Sequence, residues 1–239
     1  FPSDRIFASS SVQEIQSQNI YATTYFNIDD TYIVDALIRQ DESSLFGPDS
    51  RRNIYYRVSA AYRVTEDFDL PFVDDLKFRV AQGTSGNRPA FSWQYETFSL
   101  SNGVATKNTL GNTNLKPSKT TETEFAVNAN VGRVALEAIY STNVTTDQFL
   151  RVPLLPVAGY NGQYQNAGTI EGNTFEMNVE ANIIQQNALR WDLNITWQKS
   201  NQTITKLNVP AFQSGPDGLY FIREGEDYGA IYGRDWVRS

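Results

Sequence analysis

Glu122 and Glu124 stand two residues apart and Glu176 and Glu180 four apart, each pair in a stretch of alternating polarity. On an extended chain, residues two apart share a face at a spacing of about 6–7 Å. Two carboxylates at such a range can cleave a glycosidic bond, one as acid and one as nucleophile. The plainer alternative, solvated charges on a wet strand face, accounts for both pairs without any reaction, and no enzyme is expected. Two longer stretches offer recognition instead. "LRVPLLPVAGYNGQYQN" (150–166) sets Tyr160 and Tyr164 beside Asn161, Gly162 and Gln163, and the 84–118 stretch carries Phe91, Trp93 and Tyr95. Aromatic rings flanked by amides suit sugars or peptides. The candidate substrate-binding residues are therefore Tyr160, Asn161, Tyr164, Trp93 and Tyr95. Packing of these loops on one another, or on a partner, explains the same residues more simply.

Other chemistries are excluded by composition. Cysteine and histidine are both absent, so disulfides, Cys/His zinc sites, thiol nucleophiles and Ser-His-Asp triads cannot form within the chain. No D-x-D-x-D-G loop is present for a carboxylate-held cation, and neither metal nor cofactor is expected. The formal net charge of -7, without any basic cluster, argues against a nucleic-acid partner. The opening "FPSDRIFASSS" has neither the basic start nor the apolar segment of a signal peptide, and none is expected there. No apolar run approaches the ~18 residues of a membrane-spanning helix. That excludes a helical span but not a barrel, whose strands only alternate.

Period-2 alternation recurs along the chain and predicts eight strands, at 18–28, 31–41, 54–65, 75–83, 119–130, 133–146, 173–184 and 189–200. In 31–41, Tyr32, Val34, Ala36 and Ile38 oppose Asp35, Arg39 and Asp41. In 173–184, Phe175, Met177, Val179 and Ala181 oppose Glu176, Asn178, Glu180 and Asn182. The links alternate in length. Those at 29–30, 131–132 and 185–188 are hairpin turns, with 66–74 on the short side, while 42–53, 84–118, 147–172 and the stretch after 200 are long. One rim of the sheet therefore carries tight turns and the other long loops. This is the arrangement of outer-membrane barrels, whose spanning strands need about 9–11 residues.

The apolar faces then meet lipid, with Tyr25, Tyr32, Tyr62, Tyr140, Trp191 and Trp197 near strand ends as an interfacial girdle. The residues expected to face a wet lumen are Asp35, Arg39, Arg57, Arg63, Glu122, Glu124, Glu176 and Glu180. A soluble β-sandwich, serving as a binding or adhesion module, would show the same alternation with the apolar side as its core.

Several stretches carry a resemblance. "DTYIVDALIRQDESSLFGPDSRRNIYYRVSAAYRVTEDF" resembles the strand–loop–strand signature of SusC/RagA-type TonB-dependent outer-membrane transporters. "DDLKFRVAQGTSGN" is similar to that family's next strand, ending in G-x-[ST]-G-N at Gly83–Asn87. "LGNTNLKPSKTTETEFAVNANV", "YQNAGTIEGNTFEMNVEANII" and "FIREGEDYGAIYGRDW" resemble later family stretches, in the same order. Glu42 stands where the family usually has Gly, and Asp227 near a usual Pro.

The resemblance implies an all-β fold, an antiparallel transmembrane β-barrel segment with short periplasmic turns and long extracellular loops, belonging to a larger plugged barrel. Residues 1–239 are then one partial TonB-dependent receptor β-barrel domain, from the C-terminal half of a barrel of about 22 strands, without plug or energy-coupling box. The implied activity is import of an oligomeric nutrient, glycan or peptide, across the bacterial outer membrane. A SusD-like surface lipoprotein would cap the long-loop side, and a TonB complex would act through a region outside this chain. An outer-membrane iron-chelate receptor shares the same barrel physics and is the nearest alternative cargo class.

Overall fold

The computed structural model describes residues 12–233; the opening stretch 1–11 and the end of the "FIREGEDYGAIYGRDW" motif at 234–236 lie outside the described residues. In chain order the elements are β1 (Ser17–Ile28), β2 (Tyr32–Ser43), β3 (Arg52–Arg63), helical turn α1 (Val64–Asp67), β4 (Asp75–Asn87), β5 (Thr97–Ser101), β6 (Val104–Leu110), β7 (Ser118–Val131), β8 (Val134–Pro153), β9 (Gly162–Gln186), β10 (Leu189–Leu207), β11 (Phe212–Ser214) and β12 (Tyr220–Ile222). Eight of them form one antiparallel wall in the order β1-β2-β3-β4-β7-β8-β9-β10. These are the eight strands expected from alternation. Among the described residues, β1 and β10 do not pair with each other, so the wall is an open arc.

The tight turns follow from local backbone chemistry. Asp29 and Asp30 both sit at positive φ (50° and 55°), the geometry whose twist matches a two-residue hairpin. Gly132 at φ 57° does the same between β7 and β8. The 66–74 link is partly helical. The predicted strand end at 64–65 falls in α1, where Phe68 N donates to Val64 O (3.0 Å) and closes a single turn.

The long-loop rim differs more from expectation. The 84–118 stretch is not structureless. β4 runs on to Asn87, and β5 and β6 form a hairpin turned at Asn102 (φ 49°) and Gly103 (φ 78°). The end of this hairpin pairs in parallel with β9 at Thr109↔Gly162. The 147–172 link is mostly strand, since β8 continues to Pro153 and β9 begins at Gly162. Register shifts around Gln148 break the alternation there, which is why sequence periodicity ends early. At about 3.3 Å per residue, the 25 residues of β9 extend for about 80 Å. That is far beyond the roughly 25 Å height of an apolar belt.

Register fixes the two faces. One row across the wall reads Tyr32-Tyr62-Phe78-Val127-Ala138-Met177-Trp197, and the next reads Val34-Ala60-Val80-Phe125-Tyr140-Phe175, ending in Lys199 on β10. In the next row from the tight turns, Ala36-Val58-Gln82-Thr123-Thr142-Asn173-Asn201, the same face turns polar from β4 onward. The apolar belt is thus a band, not a whole face. Its side chains remain exposed, Phe125 at 54% and Phe78 at 47%, and among the described residues no second sheet covers them. A sandwich core is therefore not what this face forms. Tyr25 is a correction: it pairs with Asp35 and so stands on the polar face, because Phe26, not Tyr25, is in register with Val34. Tyr32, Tyr62, Tyr140, Trp191 and Trp197 keep the apolar side.

Candidate functional site: the polar face and the long-loop rim

The opposite face is built from the other parity of the same strands. The ladder places Asp35, Arg39, Arg57, Arg63, Glu122, Glu124, Glu176 and Glu180 on this one face. Arginines there find carboxylates on neighbouring positions. Arg57 Nη2 lies 2.5 Å from Asp35, which also accepts from Ser59 Oγ on the next strand. Arg39 pairs with Asp41 at 2.8 Å, and Arg63 with Asp75 at 3.1 Å. Arg79 and Glu137, which the sequence reading did not single out as a site, meet across β4 and β8 at 2.8 Å, and Asn128 Nδ2 donates to the same carboxylate oxygen at 3.0 Å. Their signal was available, since each lies on the charged parity of its strand, but only strand register reveals that they face one another.

Glu122 and Glu124 rise beside Gly83 and Ala81, their register partners on β4. With those small neighbours, Arg57, Thr120 and the two glutamates line a shallow hollow. Glu180 accepts from Asn178 Nδ2 (3.2 Å) and Asn194 Nδ2 (3.3 Å). These contacts are those of solvated wall charges. Neither glutamate pair is brought against the other, because Glu122 and Glu124 lie on β7 while Glu176 and Glu180 lie on β9, two strands away.

At the long-loop rim the family-like motifs pack on each other. Leu115, 1% exposed, gives its carbonyl to Gly47 N at 2.8 Å. A Cβ on Gly47 would sit 3.0 Å from the backbone of Asn114. Asn166 grips Lys116 in both directions: its Oδ1 accepts from Lys116 N (2.9 Å), and its Nδ2 donates to Lys116 O (3.0 Å) and Asp147 O (2.8 Å). Tyr55, 3% exposed, lies across Gly86, where a Cβ would collide with its ring and hydroxyl. The "SSLFG", "NLKP", "GTSGN" and "YQNAG" stretches are thus one scaffold that holds the rim together.

The five candidate recognition residues are mostly consumed by that scaffold. Trp93 stacks on Tyr164 with ring centroids 4.0 Å apart and meets Phe149 edge-on at 5.3 Å. Tyr160 is 8% exposed, with Lys107 Nζ 4.7 Å from its ring centre. The Glu96 carboxylate beside it, and then burial, push its phenol above the usual value. Asn161 N donates to Asn108 O at 2.8 Å, which ties its loop to β6. Tyr95 remains outward at 53% exposure, tilted against Phe91 at 5.2 Å. The structure brings Trp93 and Tyr164 together, and Tyr160 and Asn161 onto the hairpin, but gathers no single cavity from all five.

An open antiparallel wall, apolar in a band on one side and ion-paired on the other, with tight turns below and strand extensions above, is an arc of a β-barrel. The family described as TonB dependent receptor-like, beta-barrel matches residues 2–225, and the chain belongs to it. The chain is 25% identical over 217 residues to TonB-dependent receptor P26 of Formosa agariphila, covering 85% of this chain and 22% of that protein. It is 26% identical over 245 residues to TonB-dependent receptor SusC of Bacteroides thetaiotaomicron, covering 89% of this chain and 24% of that protein. The chain thus spans under a quarter of the length of these relatives. Among solved structures, the RagAB peptide transporter superposes with a TM-score of 0.78 at 21% identity, covering 88% of this chain and 25% of that one. That likeness bears on the fold.

Proposed function

We propose that this chain is the wall of an outer-membrane nutrient importer, with its apolar band in lipid and its ion-paired face toward a wet lumen filled by a plug. The observation that carries this reading is the row at which the outward face changes from Phe125 and Val80 to Thr123 and Gln82. A belt of limited height, with strands running far past it, fits a bilayer and not a protein core. The ion pairs of the inward face are those of a solvated surface, where such pairs are worth little and are tolerated without burial.

The cargo is an oligomer, glycan or peptide, the transported classes of SusC-like and RagA-like importers. A SusD-like lipoprotein caps the long-loop rim, and a TonB complex supplies energy through the region outside this chain. Tyr95 is the recognition candidate that keeps an outward ring, while Trp93, Tyr160, Asn161 and Tyr164 shape the rim that presents it. The chain acts by conducting and binding, not by catalysis.

The test is extraction followed by uptake. The full protein should leave washed outer membranes only with detergent, and its deletion should abolish growth on oligomers of one class while sparing their monomers. Release by urea without detergent would overturn the wall reading, and unchanged growth on glycan and peptide oligomers alike would overturn the import reading.

A further inference from the structure

The one cluster of buried apolar side chains among the described residues lies at neither the belt nor the turns. It comprises Leu150, Val152, Ala167, Ile170, Ile204, Phe212 and Ile222, with Leu207 and Val209 against it. Ile170 and Ile204 are register partners on β9 and β10, and by parity they share the face of Glu176 and Gln198. Above the polar wall, the inward face thus turns apolar. What covers it is the chain's own segment 208–232, which folds back over the inner side.

That segment is pinned at both ends. At its start Asn208 N donates to Ala167 O (2.8 Å). At its return Gly225 N donates to Ile204 O (2.8 Å), Ile204 N to Glu226 O (2.9 Å) and Tyr228 N to Gln202 O (2.9 Å), around the isolated bridge Thr203↔Asp227. Between the pins, β11 and β12 pair, and just past the second pin 230–232 adds a third edge through Phe221 N to Ala230 O (3.1 Å) and Tyr232 N to Leu219 O (2.8 Å). Strand alternation then divides this small sheet. Phe212 and Ile222 go into the cluster, while Phe221 points the other way. There it meets Tyr232 at 5.3 Å between ring centroids, with the Arg223 guanidinium 5.3 Å from its ring. Gly215, at φ 78°, lets the turn close against Tyr220, whose ring a Cβ would strike.

We propose that segment 208–232 is a fixed constriction in the mouth of the passage, and that Phe221, Arg223 and Tyr232 set the largest cargo cross-section that enters. The proposal rests on the importer reading for which side is the passage. Its fixity rests on the pins and the apolar cluster alone. A gate would need ends free to swing; this strap has backbone hydrogen bonds at both and a dry anchor between them.

Two measurements on the full-length transporter test it. Thr203→Cys with Asp227→Cys bridges an antiparallel pair whose Cα atoms lie about 4.5–5.5 Å apart, within disulfide reach, and the chain has no other cysteine. The stapled protein should import its oligomers at the unstapled rate, while Phe221→Ala with Tyr232→Ala should raise uptake severalfold for the longest or most branched oligomers only. A block relieved by reductant would make the strap a moving gate and overturn the proposal, as would an unchanged size limit in the double alanine variant. Amide exchange gives an answer that needs no transport. Ile204, Asn208, Gly225 and Tyr228 should be as protected as mid-wall amides, and fast exchange at all four would overturn the fixity even if import itself failed.

Discussion

The indole of Trp93 lies flat on the ring of Tyr164, with centroids 4.0 Å apart and planes 11° from parallel. Two loops far apart in sequence are joined there, and Asn112 strengthens the joint: its N donates to Trp93 O (2.9 Å), its Nδ2 to Tyr164 O (2.9 Å), and its Oδ1 accepts from Asn114 N (3.0 Å). Rings locked face to face present edges, not faces, to a cargo. Trp93→Ala should therefore act on stability before recognition. A half-buried tryptophan loses roughly 2 kcal/mol on truncation, below the range for full burial. The expected result is faster proteolytic nicking within 84–118, with oligomer affinity little changed in molecules that remain intact. A large affinity loss at unchanged protease resistance would return Trp93 to direct recognition.

Gly111 makes a sharper test of the same rim. A Cβ there would stand 2.6 Å from Gln94 O and 2.8 Å from the Tyr95 carbonyl carbon. Backbone cannot step aside as a flexible side chain can, so Gly111→Ala should cost about 1–3 kcal/mol. Chemical denaturation of the detergent-solubilised protein would measure it. A neutral substitution would mean that the two chain segments do not approach as closely as described.

Much of this architecture was legible in the sequence, and the boundary of legibility is physical. The eight wall strands, their faces and the alternation of tight and long links follow from period-2 patterning, because a bilayer belt forces one parity to be apolar. Above the belt that force disappears. β8 from Thr145 onward and β9 before Gly172 mix polar residues with buried ones such as Leu150 and Ile170, and register shifts around Gln148 break the two-residue period, so alternation does not mark these strands. Tyr25 was assigned by its position near a strand end, whereas only pairing with Asp35 fixes its face. Trp93 and Tyr164 looked like a recognition platform because aromatic loop residues have the same composition whether they bind a guest or one another.

The Arg79–Glu137 pair offers a quantitative check on the inward face. Both side chains are more than a third exposed, 35% and 39%, so water screens them. A double-mutant cycle with Arg79→Ala and Glu137→Ala should yield a coupling of about 0.2–1 kcal/mol. A coupling of several kcal/mol would mean that this face is dry in the assembled protein, packed against something that excludes solvent.

Alkaline pH should loosen the rim at Tyr160. The Glu96 carboxylate, and then burial, raise this phenol above its ordinary value, because ionisation would set two negative charges together. A raised folded-state value means that the folded rim holds the proton more tightly than the unfolded chain does. The associated stability is whole below the ordinary tyrosine range, near pH 10, and is lost as pH rises through the higher folded value. Amide exchange in 154–161, where Asn161 is tied to β6, should accelerate above that range. Glu96→Gln removes the main cause of the shift and should weaken that alkaline acceleration.

The membrane belt makes the most decisive prediction. Phe125 and Ser141 are on adjacent strands, but the ladder places Phe125 opposite Tyr140 in the apolar band and Ser141 opposite Glu124 on the polar face. Arginine at position 125 would have to leave water at the edge of the apolar band, one row from Thr123, where the cost is about 1 kcal/mol, below that of the bilayer midplane. Arginine at position 141 would enter a face that already carries Arg57 and Arg79 in ion pairs, and Glu124 lies directly opposite to receive it. Phe125→Arg should therefore assemble into bilayers less efficiently and with a less heat-resistant folded form, while Ser141→Arg should assemble as well as the parent. If both substitutions were tolerated equally in lipid, the row running from Val34 through Phe125 to Phe175 would not be the surface that meets the membrane.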